Sequence, residues 1–196
     1  MGIEFEVKYS ATPQSFALLR SYLGGDFREL HMETTYYDTP GADLSRRRWT
    51  LRRRYENGLS VCTLKTPAAG FGRGEWDCEA ASIEEAIPVL CKLSGQDALL
   101  SLTRDGVLPI CGARFTRLAR NISSGSALLE VALDRGSLTG GGKEEPLLEV
   151  EVELKSGEPE DAVRYAKFLA RKFGLTAQPK SKFRRALELA NSAAHS

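Results

Sequence analysis

Two stretches of this chain alternate apolar and charged residues so strictly that they read as half-buried β-strands, and the charged half of each is mostly acid. Ile3 to Tyr9 runs Ile-Glu-Phe-Glu-Val-Lys-Tyr, and Glu149 to Lys155 runs Glu-Val-Glu-Val-Glu-Leu-Lys. Successive side chains of a strand point to opposite faces. Glu4, Glu6 and Lys8 therefore share one face, and Glu149, Glu151 and Glu153 share another. A row of carboxylates repels itself unless a cation lies among them, because each like neighbour disfavours the charged form. Such a pair of strands asks for a metal ion.

The chain has 196 residues, enough for one sizeable core, so residues 1–196 are read as a single domain. Its 27 basic and 26 acidic side chains leave a net charge of +1, without the basic excess of a protein that binds nucleic acid through phosphates. The four cysteines form no CxxC pair and the two histidines stand far apart, so a structural zinc site is not expected. Free thiols in a reducing cytoplasm account for them. No apolar run is long enough to span a membrane, and Glu4 and Glu6 interrupt any N-terminal signal segment. A soluble cytoplasmic protein, monomeric or a homodimer, is the expectation.

Strand signals recur along the chain with few helices between them. Thr12-Pro13 opens a helix that Gly24-Gly25 ends. Strands follow at about 30–38 and 49–56, and Asn57-Gly58 turns the second into a partner running to Thr66. After a glycine-rich loop comes a strand at 73–80. Ser82 and Glu85 then make a capping box for a helix that Pro88 should shorten or kink, with more helix to about Leu102. Further strands read at 113–122, 127–134 and 147–155, the last preceded by Gly140-Gly141-Gly142. Pro159 starts an amphipathic helix that stops at Gly174, and Ser181 caps a final one.

One face of each strand is charged. Arg52 and Arg54 share a face, as do Thr63 and Lys65 on the hairpin partner. Arg73, Glu75, Asp77 and Glu79 lie opposite Trp76 and Cys78, Arg117 lies between Phe115 and Ala119, and Glu130 and Asp134 lie opposite Leu129, Val131 and Leu133. On a single strand this is usually a solvated face with cross-strand ion pairs. Repeated on so many strands, it points to a closed antiparallel barrel with helices packed on its apolar outside and charges lining its interior. Interior Arg and Lys suit a polyanion, and interior carboxylates suit hard divalent ions that bridge to it. A linear polyphosphate with Mg²⁺ or Mn²⁺ fits that lining better than a sugar, a lipid or an apolar cofactor. The runs Arg46-Arg47-Arg48 and Arg52-Arg53-Arg54 around Trp49 could instead be a nucleic-acid patch, but the equal supply of carboxylates argues against it. Gly70 to Gly74 is no dinucleotide fingerprint, since a strand follows it, and Gly142-Lys143 lacks the other residues of a P-loop.

With these residues in place, the chain resembles the CYTH superfamily, the triphosphate tunnel metalloenzymes, over nearly its whole length. The resemblance rests on Glu4-x-Glu6-x-Lys8, Tyr36-Tyr37-Asp38-Thr39, Leu51-Arg52-x-Arg54, Thr63-Leu64-Lys65, Arg73-x-Glu75, Glu130 with Asp134-Arg135-Gly136, Glu149-x-Glu151-x-Glu153 and Ser181-Lys182-Phe183-Arg184. It implies an α+β fold, an eight-stranded antiparallel tunnel whose members cleave or cyclise triphosphates with a divalent metal. It further implies metal ligands at Glu4, Glu6, Glu149, Glu151 and Glu153, with Glu130 in support. Lys8, Arg52, Arg54, Lys65, Arg73 and Arg117 are the implied phosphate clamp, which Lys182 and Arg184 would approach from the last helix.

Phosphoryl transfer needs charge neutralisation and in-line positioning more than covalent help. Glu4, Glu6 and Lys8 are the expected catalytic group, with an inner carboxylate such as Glu6 or Glu153 taking a proton from the attacking water. Within the family, an inorganic triphosphatase needs only tunnel and clamp, with nucleoside triphosphates as secondary substrates. A thiamine triphosphatase adds a stacking aromatic just before Leu-Arg-x-Arg, where this chain has Thr50, with Trp49 on the opposite face. Class IV adenylate cyclases carry extra residues ahead of the first motif, including a His-Phe pair, and here Glu4 follows three residues. Tripolyphosphate hydrolysis is therefore the preferred expectation. A domain that binds polyphosphate without cleaving it is the alternative, and the full set of carboxylates favours an enzyme.

Overall fold

The strands expected from alternation pair into one antiparallel sheet, and the N-terminal segment joins its two ends. The computed structural model describes residues 2–3, 5–67 and 73–193. The strands are β1 (Gly2–Ile3), β2 (Glu6–Ser10), β3 (Arg28–Asp38), β4 (Thr50–Glu56), β5 (Leu59–Pro67), β6 (Arg73–Glu79), β7 (Leu108–Ser124), β8 (Ala127–Gly140), β9 (Lys143–Ser156) and β10 (Thr176–Ala177). Their order in the sheet is β1-β6-β5-β4-β3-β7-β8-β9-β2-β10. β1 lies on β6, with Gly2 opposite Glu75, while β2 lies on β9, with Glu6 opposite Glu153. β1 and β2 both belong to the N-terminal stretch, so counting them as one member and setting the two-residue β10 aside, the described strands make an eight-membered ring.

Local chemistry accounts for the corners. Thr12 and Ser15 cap each other at the start of α1 (Pro13–Leu23), the Thr12 hydroxyl accepting from the Ser15 amide at 3.1 Å and the Ser15 hydroxyl from the Thr12 amide at 2.9 Å. Asn57 and Gly58 take positive φ values of 49° and 87°, the geometry of a tight hairpin turn matched to strand twist. Three strands run longer than alternation alone suggests. β8 and β9 continue to a turn at Gly141–Gly142, and β7 pairs alongside β8 as far as Cys111 opposite Gly140, because each ladder supplies the backbone partners of the next. Pro88 does not end α3 (Ile83–Ser94), and a separate short helix, α4 (Ala98–Leu102), follows it.

Two apolar cores lie outside the ring. α1 and α5 (Pro159–Phe173) cover the outward faces of β2, β8 and β9, burying Tyr9, Val131, Leu133, Val150 and Val152 against Phe16, Leu19, Ala166 and Leu169. α2 (Asp43–Arg46), α3 and α4 cover Leu51, Cys62 and Leu64 on β4 and β5. Each fully buried aliphatic side chain contributes about 1.5–3 kcal/mol, so these faces fix which side of every strand turns inward. Among the described residues no helix is long and apolar enough to cross a membrane.

The sixth helix departs from the expectation of helices packed outside. α6 (Lys182–Ala193) sits over the inward faces of β7, β8 and β9 at one end of the ring, on a third core formed by Tyr36, Phe115, Leu138, Leu147 and its own Ala186. The inward side of β3 is partly apolar, at Leu30 and Met32. Gly140 lets α6 approach. A Cβ there would lie 2.4 Å from the Ala186 carbonyl oxygen and 2.8 Å from the Ala190 amide nitrogen. Gly140→Ala should thus push α6 off the ring at a cost of roughly 1–3 kcal/mol. The loss is measurable by denaturant unfolding and by faster amide exchange in residues 182–193, and wild-type exchange there would refute the packing.

Candidate active site

Register delivers the charged side chains to the interior in rows. On β9, Glu149, Glu151 and Glu153 face inward, opposite Ser10, Lys8 and Glu6 of β2 and opposite Asp134, Ala132 and Glu130 of β8. Arg117 of β7 stands opposite Asp134. Across the ring, β4 offers Arg52 and Arg54, with Thr63 of β5 opposite Arg52, and Lys65 stands opposite Glu75 of β6.

The carboxylates separate into two groups. Asp134, Glu149 and Glu151 are buried together, close enough for one oxygen of each to touch a common ion. That place is taken by the Lys182 ammonium, which α6 lowers into it: Nζ lies 2.8 Å from Asp134 Oδ2 and 2.6 Å from Glu151 Oε1, and also bonds Glu149. Arg117 holds Asp134 through two bonds of 2.7 Å and bonds Glu151 as well. Three anions thus share one ammonium and one guanidinium, with Arg185 reaching Glu149 at 3.4 Å. The imbalance falls on Glu149. Burial, reinforced by the neighbouring Glu151 and opposed by Lys182, pushes its carboxyl up to about 7. Burial also acts upward on Glu151, but Arg117 and Lys182 outweigh it and hold that group well below the usual carboxylate range.

The second group is Glu6, Glu153 and Glu130, side by side on three adjacent strands. Its counter-ions are side chains of the same wall: Lys8 to Glu6 at 2.9 Å, Lys155 to Glu153 at 2.9 Å, and Arg28 to Glu130 at 2.9 Å. Glu6 and Glu153 remain about a quarter exposed, at 24% and 25% of the side chain, so this row faces open space. Its hard oxygen donors are of the type that binds Mg²⁺ or Mn²⁺. The inner trio is a poorer fit, since a dication there would have to displace the buried ammonium of Lys182.

Opposite lie the cations expected to hold phosphate. Arg52 and Lys65 share Glu75, at 3.2 and 2.9 Å, and Arg54 bonds Glu56 at 2.9 Å. The Nε atoms of Arg52 and Arg54 are buried and have no hydrogen-bond partner among the described residues. Two unmatched guanidinium donors cost free energy unless an acceptor arrives, and phosphate oxygens match their geometry. Burial and the adjacent Arg52 both lower the pKa of Arg54, as an anion between them would reverse.

A chamber of about 680 Å³ opens beside these side chains, and a narrower one of about 150 Å³ continues inward to Ser181, Lys182 and Phe183 of the α6 end. Arg52, Arg54 and Arg117 line both. Of the residues implied by the motifs, Glu6, Lys8, Arg52, Arg54, Lys65, Arg117, Glu130, Glu151, Glu153 and Lys182 line these spaces, and Glu149 lies behind them on Lys182. Glu4 lies outside the described residues, and of Arg73 only the backbone, opposite Pro67, is described. Arg184 is not brought in: it lies on the exposed face of α6, paired with Glu188 at 2.9 Å. Arg185 points inward in its place. Sequence reading also passed over Arg28, which precedes the expected strand, and did not assign Asp134 a role although alternation puts it on the face of Glu130.

Comparison with known proteins settles the family. The CYTH domain model matches residues 2–187. The chain belongs to the CYTH domain family. A curated relative, an inorganic triphosphatase of Haemophilus influenzae, is 30% identical over 174 residues, covering 85% of this chain and 49% of the relative. The chain therefore spans about half the length of the curated relative it matches. Solved structures share the tunnel fold: HpAC1 of Hippeastrum, with a dominant triphosphatase activity, superposes with a TM-score of 0.64 at 20% identity, covering 97% of this chain and 96% of that one. The PH1819 protein of Pyrococcus horikoshii gives 0.63 at 24% identity over 94% and 98%.

In this CYTH chain the inner trio makes a pH prediction. The Glu149 carboxyl is raised from an ordinary 4.5 to about 7, so it binds a proton more tightly folded than unfolded. The stability this contributes is present below pH 4.5 and is lost as pH rises through 7, amounting to a few kcal/mol at about 1.4 kcal/mol per unit. Chelator-treated Glu149→Gln should lose less stability than wild type between pH 5 and pH 9 in urea titrations. Parallel pH curves for the two proteins would show the assignment to be wrong.

Proposed function

We propose that the protein is a divalent-metal-dependent triphosphatase that hydrolyses inorganic tripolyphosphate to pyrophosphate and phosphate, with slower turnover of nucleoside triphosphates. The observation that carries this reading is the pair of buried, unmatched guanidinium nitrogens of Arg52 and Arg54 facing the open carboxylate row Glu6–Glu153–Glu130. Unmatched guanidinium nitrogens on one wall and a partly exposed row of hard oxygen donors on the other fit a polyanion that arrives with metal ions.

Arg52, Arg54, Lys65 and Arg117 would bind the phosphate oxygens, with Lys8 between clamp and carboxylates. Glu6, Glu153 and Glu130, with Glu4, would hold Mg²⁺ or Mn²⁺. When bound, the metal supplies charge neutralisation on the phosphates and lowers the pKa of water. The chain's own part is to fix the phosphate chain in line between the two walls and to limit access by bulk water. A carboxylate oxygen of Glu6 or Glu153 would accept the proton of the attacking water. Charge balance, and an interior rather than a surface site, support a small-molecule substrate over nucleic acid.

The inorganic substrate is favoured by the surroundings of Thr50. That residue lines the inner chamber, while Trp49 is buried in the outer core with Leu44 and Leu51, so neither supplies a stacking surface for thiamine.

Phosphate release from tripolyphosphate, ATP, thiamine triphosphate and pyrophosphate, each with Mg²⁺, Mn²⁺ or EDTA, tests the reading. Tripolyphosphate should turn over fastest and EDTA should abolish the signal. Metal-independent turnover would refute the mechanism, and preference for thiamine triphosphate by orders of magnitude would refute the substrate. Glu6→Gln should lower kcat at least about a hundredfold with an unchanged fold by circular dichroism. A variant at full rate would remove Glu6 from the chemistry.

A further inference from the structure

None of the four cysteines serves the tunnel, yet two of them stand face to face in the sheet. Cys62 of β5 is directly opposite Cys78 of β6 in the antiparallel ladder. A bond two residues along sets the phase of that ladder: the Ala80 amide donates to the Ser60 carbonyl at 3.3 Å. Opposed pairs alternate between those that exchange backbone hydrogen bonds and those that do not. Cys62 and Cys78 therefore form a bonded pair, the kind whose Cα atoms lie about 5.5 Å apart. A disulfide spans about 4.4–6.8 Å between Cα atoms, so the backbone already meets its requirement. Both side chains also leave the sheet on its outer face, into the core beneath α3 with Leu64, Ile83 and Ile87.

The surroundings single this pair out. Cys62 is fully buried, its thiol donating to the Ser82 carbonyl at 3.8 Å at the start of α3, whereas Cys78 is partly exposed. Cys91 turns its thiol to the Gln96 carbonyl beyond the other end of α3, a helix of 12 residues and hence about 18 Å long. Cys111 lies in the third core, under α6. Arg53 of β4 flanks Cys62 on the side away from Cys78 and favours its thiolate. Burial outweighs Arg53 and pushes the Cys62 thiol up to about 11, and it raises Cys78 as well. The reduced pair is thus stable at neutral pH until an oxidant reaches the exposed partner.

We propose that Cys62 and Cys78 form a reversible disulfide, a redox staple on the outside of the wall that carries Lys65 and Glu75. The oxidant is a small-molecule disulfide of the glutathione type. The Cys78 thiolate attacks one sulfur of that disulfide, whose S–S bond breaks to release the first glutathione. The Cys62 thiolate then attacks Cys78 Sγ, and the second glutathione leaves as the protein disulfide closes. Two cysteine thiols are oxidised, one glutathione disulfide is reduced, and the two cysteine protons end on the two glutathione thiols. On the inward face of the same strands, Thr63 bonds Asp77 at 2.6 Å and Lys65 bonds Glu75 at 2.9 Å. The staple would hold the register of these pairs from behind, whichever triphosphate the tunnel takes.

The experiment incubates the folded chain with excess oxidised glutathione, alkylates the remaining thiols in denaturant, and reads intact mass and linked peptides. Wild type should keep two alkylatable thiols, Cys91 and Cys111, and yield one peptide pair joined through Cys62 and Cys78. Dithiothreitol should restore all four. The oxidised form should melt about 5 °C or more above the reduced one, because closing residues 62–78 into a loop restricts the unfolded chain. Cys78→Ser, at a partly exposed position, should lose both the link and the shift, and Cys91→Ala should keep both. Alkylation of all four thiols after oxidation would overturn the staple, as would glutathione retained on Cys78 or a disulfide between two chains. A link that forms only in urea would overturn it too, since the folded register would then not be what pairs the sulfurs. So would a linked protein that melts no higher than the reduced one.

Discussion

Everything at the closed end of the tunnel depends on one ammonium placed among three buried carboxylates. Without Lys182, Asp134, Glu149 and Glu151 would be left with Arg117 as their main partner in a region almost without solvent, and several kcal/mol of desolvation would be uncompensated. Lys182 is also the first residue of α6, so neutralising the trio and covering this end of the tunnel are one event. The apolar contacts of Phe183 and Ala186 with Tyr36, Leu138 and Leu147 add ordinary burial energy, but the ion cluster fixes where the helix begins. A buried pair of this kind is weak evidence for net stability and better evidence for register, and here the register is that of a helix on a barrel.

The same bookkeeping of charge organises the open end. Each carboxylate of the outer row has a cation of the chain beside it, and Arg52 and Lys65 do the same for Glu75. The interior is consequently a set of pairs that can exchange partners: divalent ions can replace the cations on the carboxylates, and phosphates can replace the carboxylates on the cations. On the proposed function, such a lining would bind either guest more weakly alone than together, and by linkage that coupling would hold in both directions.

Much of this was legible in the amino-acid sequence because a strand has a period of two. Alternation alone put Glu6, Lys8, Arg52, Arg54, Lys65, Arg117 and Glu153 on inward faces, and Asn57-Gly58 fixed one hairpin. What stayed hidden belongs to relations between elements. An amphipathic helix looks the same whether it covers the outside of a barrel or its end, so α6 read as an outer helix. One residue of helix turns a side chain by about 100°, so Arg184 and Arg185 could not be told apart until the helix was docked. The apolar inner flank of β3, at Leu30 and Met32, faces the cavity only because its neighbours set the register.

The ring is closed by the strand that begins the chain. Residue 6 pairs with residue 153, a contact among the more distant in sequence that the described residues make, while residue 2 pairs with residue 75. Contacts of high sequence separation carry the largest loop-closure cost and tend to form late. Glu6 and Lys8 thus wait, during synthesis, for a partner that the ribosome has not yet made. A chain cut short of β9 cannot assemble the carboxylate row and leaves Glu6 and Lys8 on an unpaired edge. Ring closure on β9 and assembly of the carboxylate row therefore arrive together.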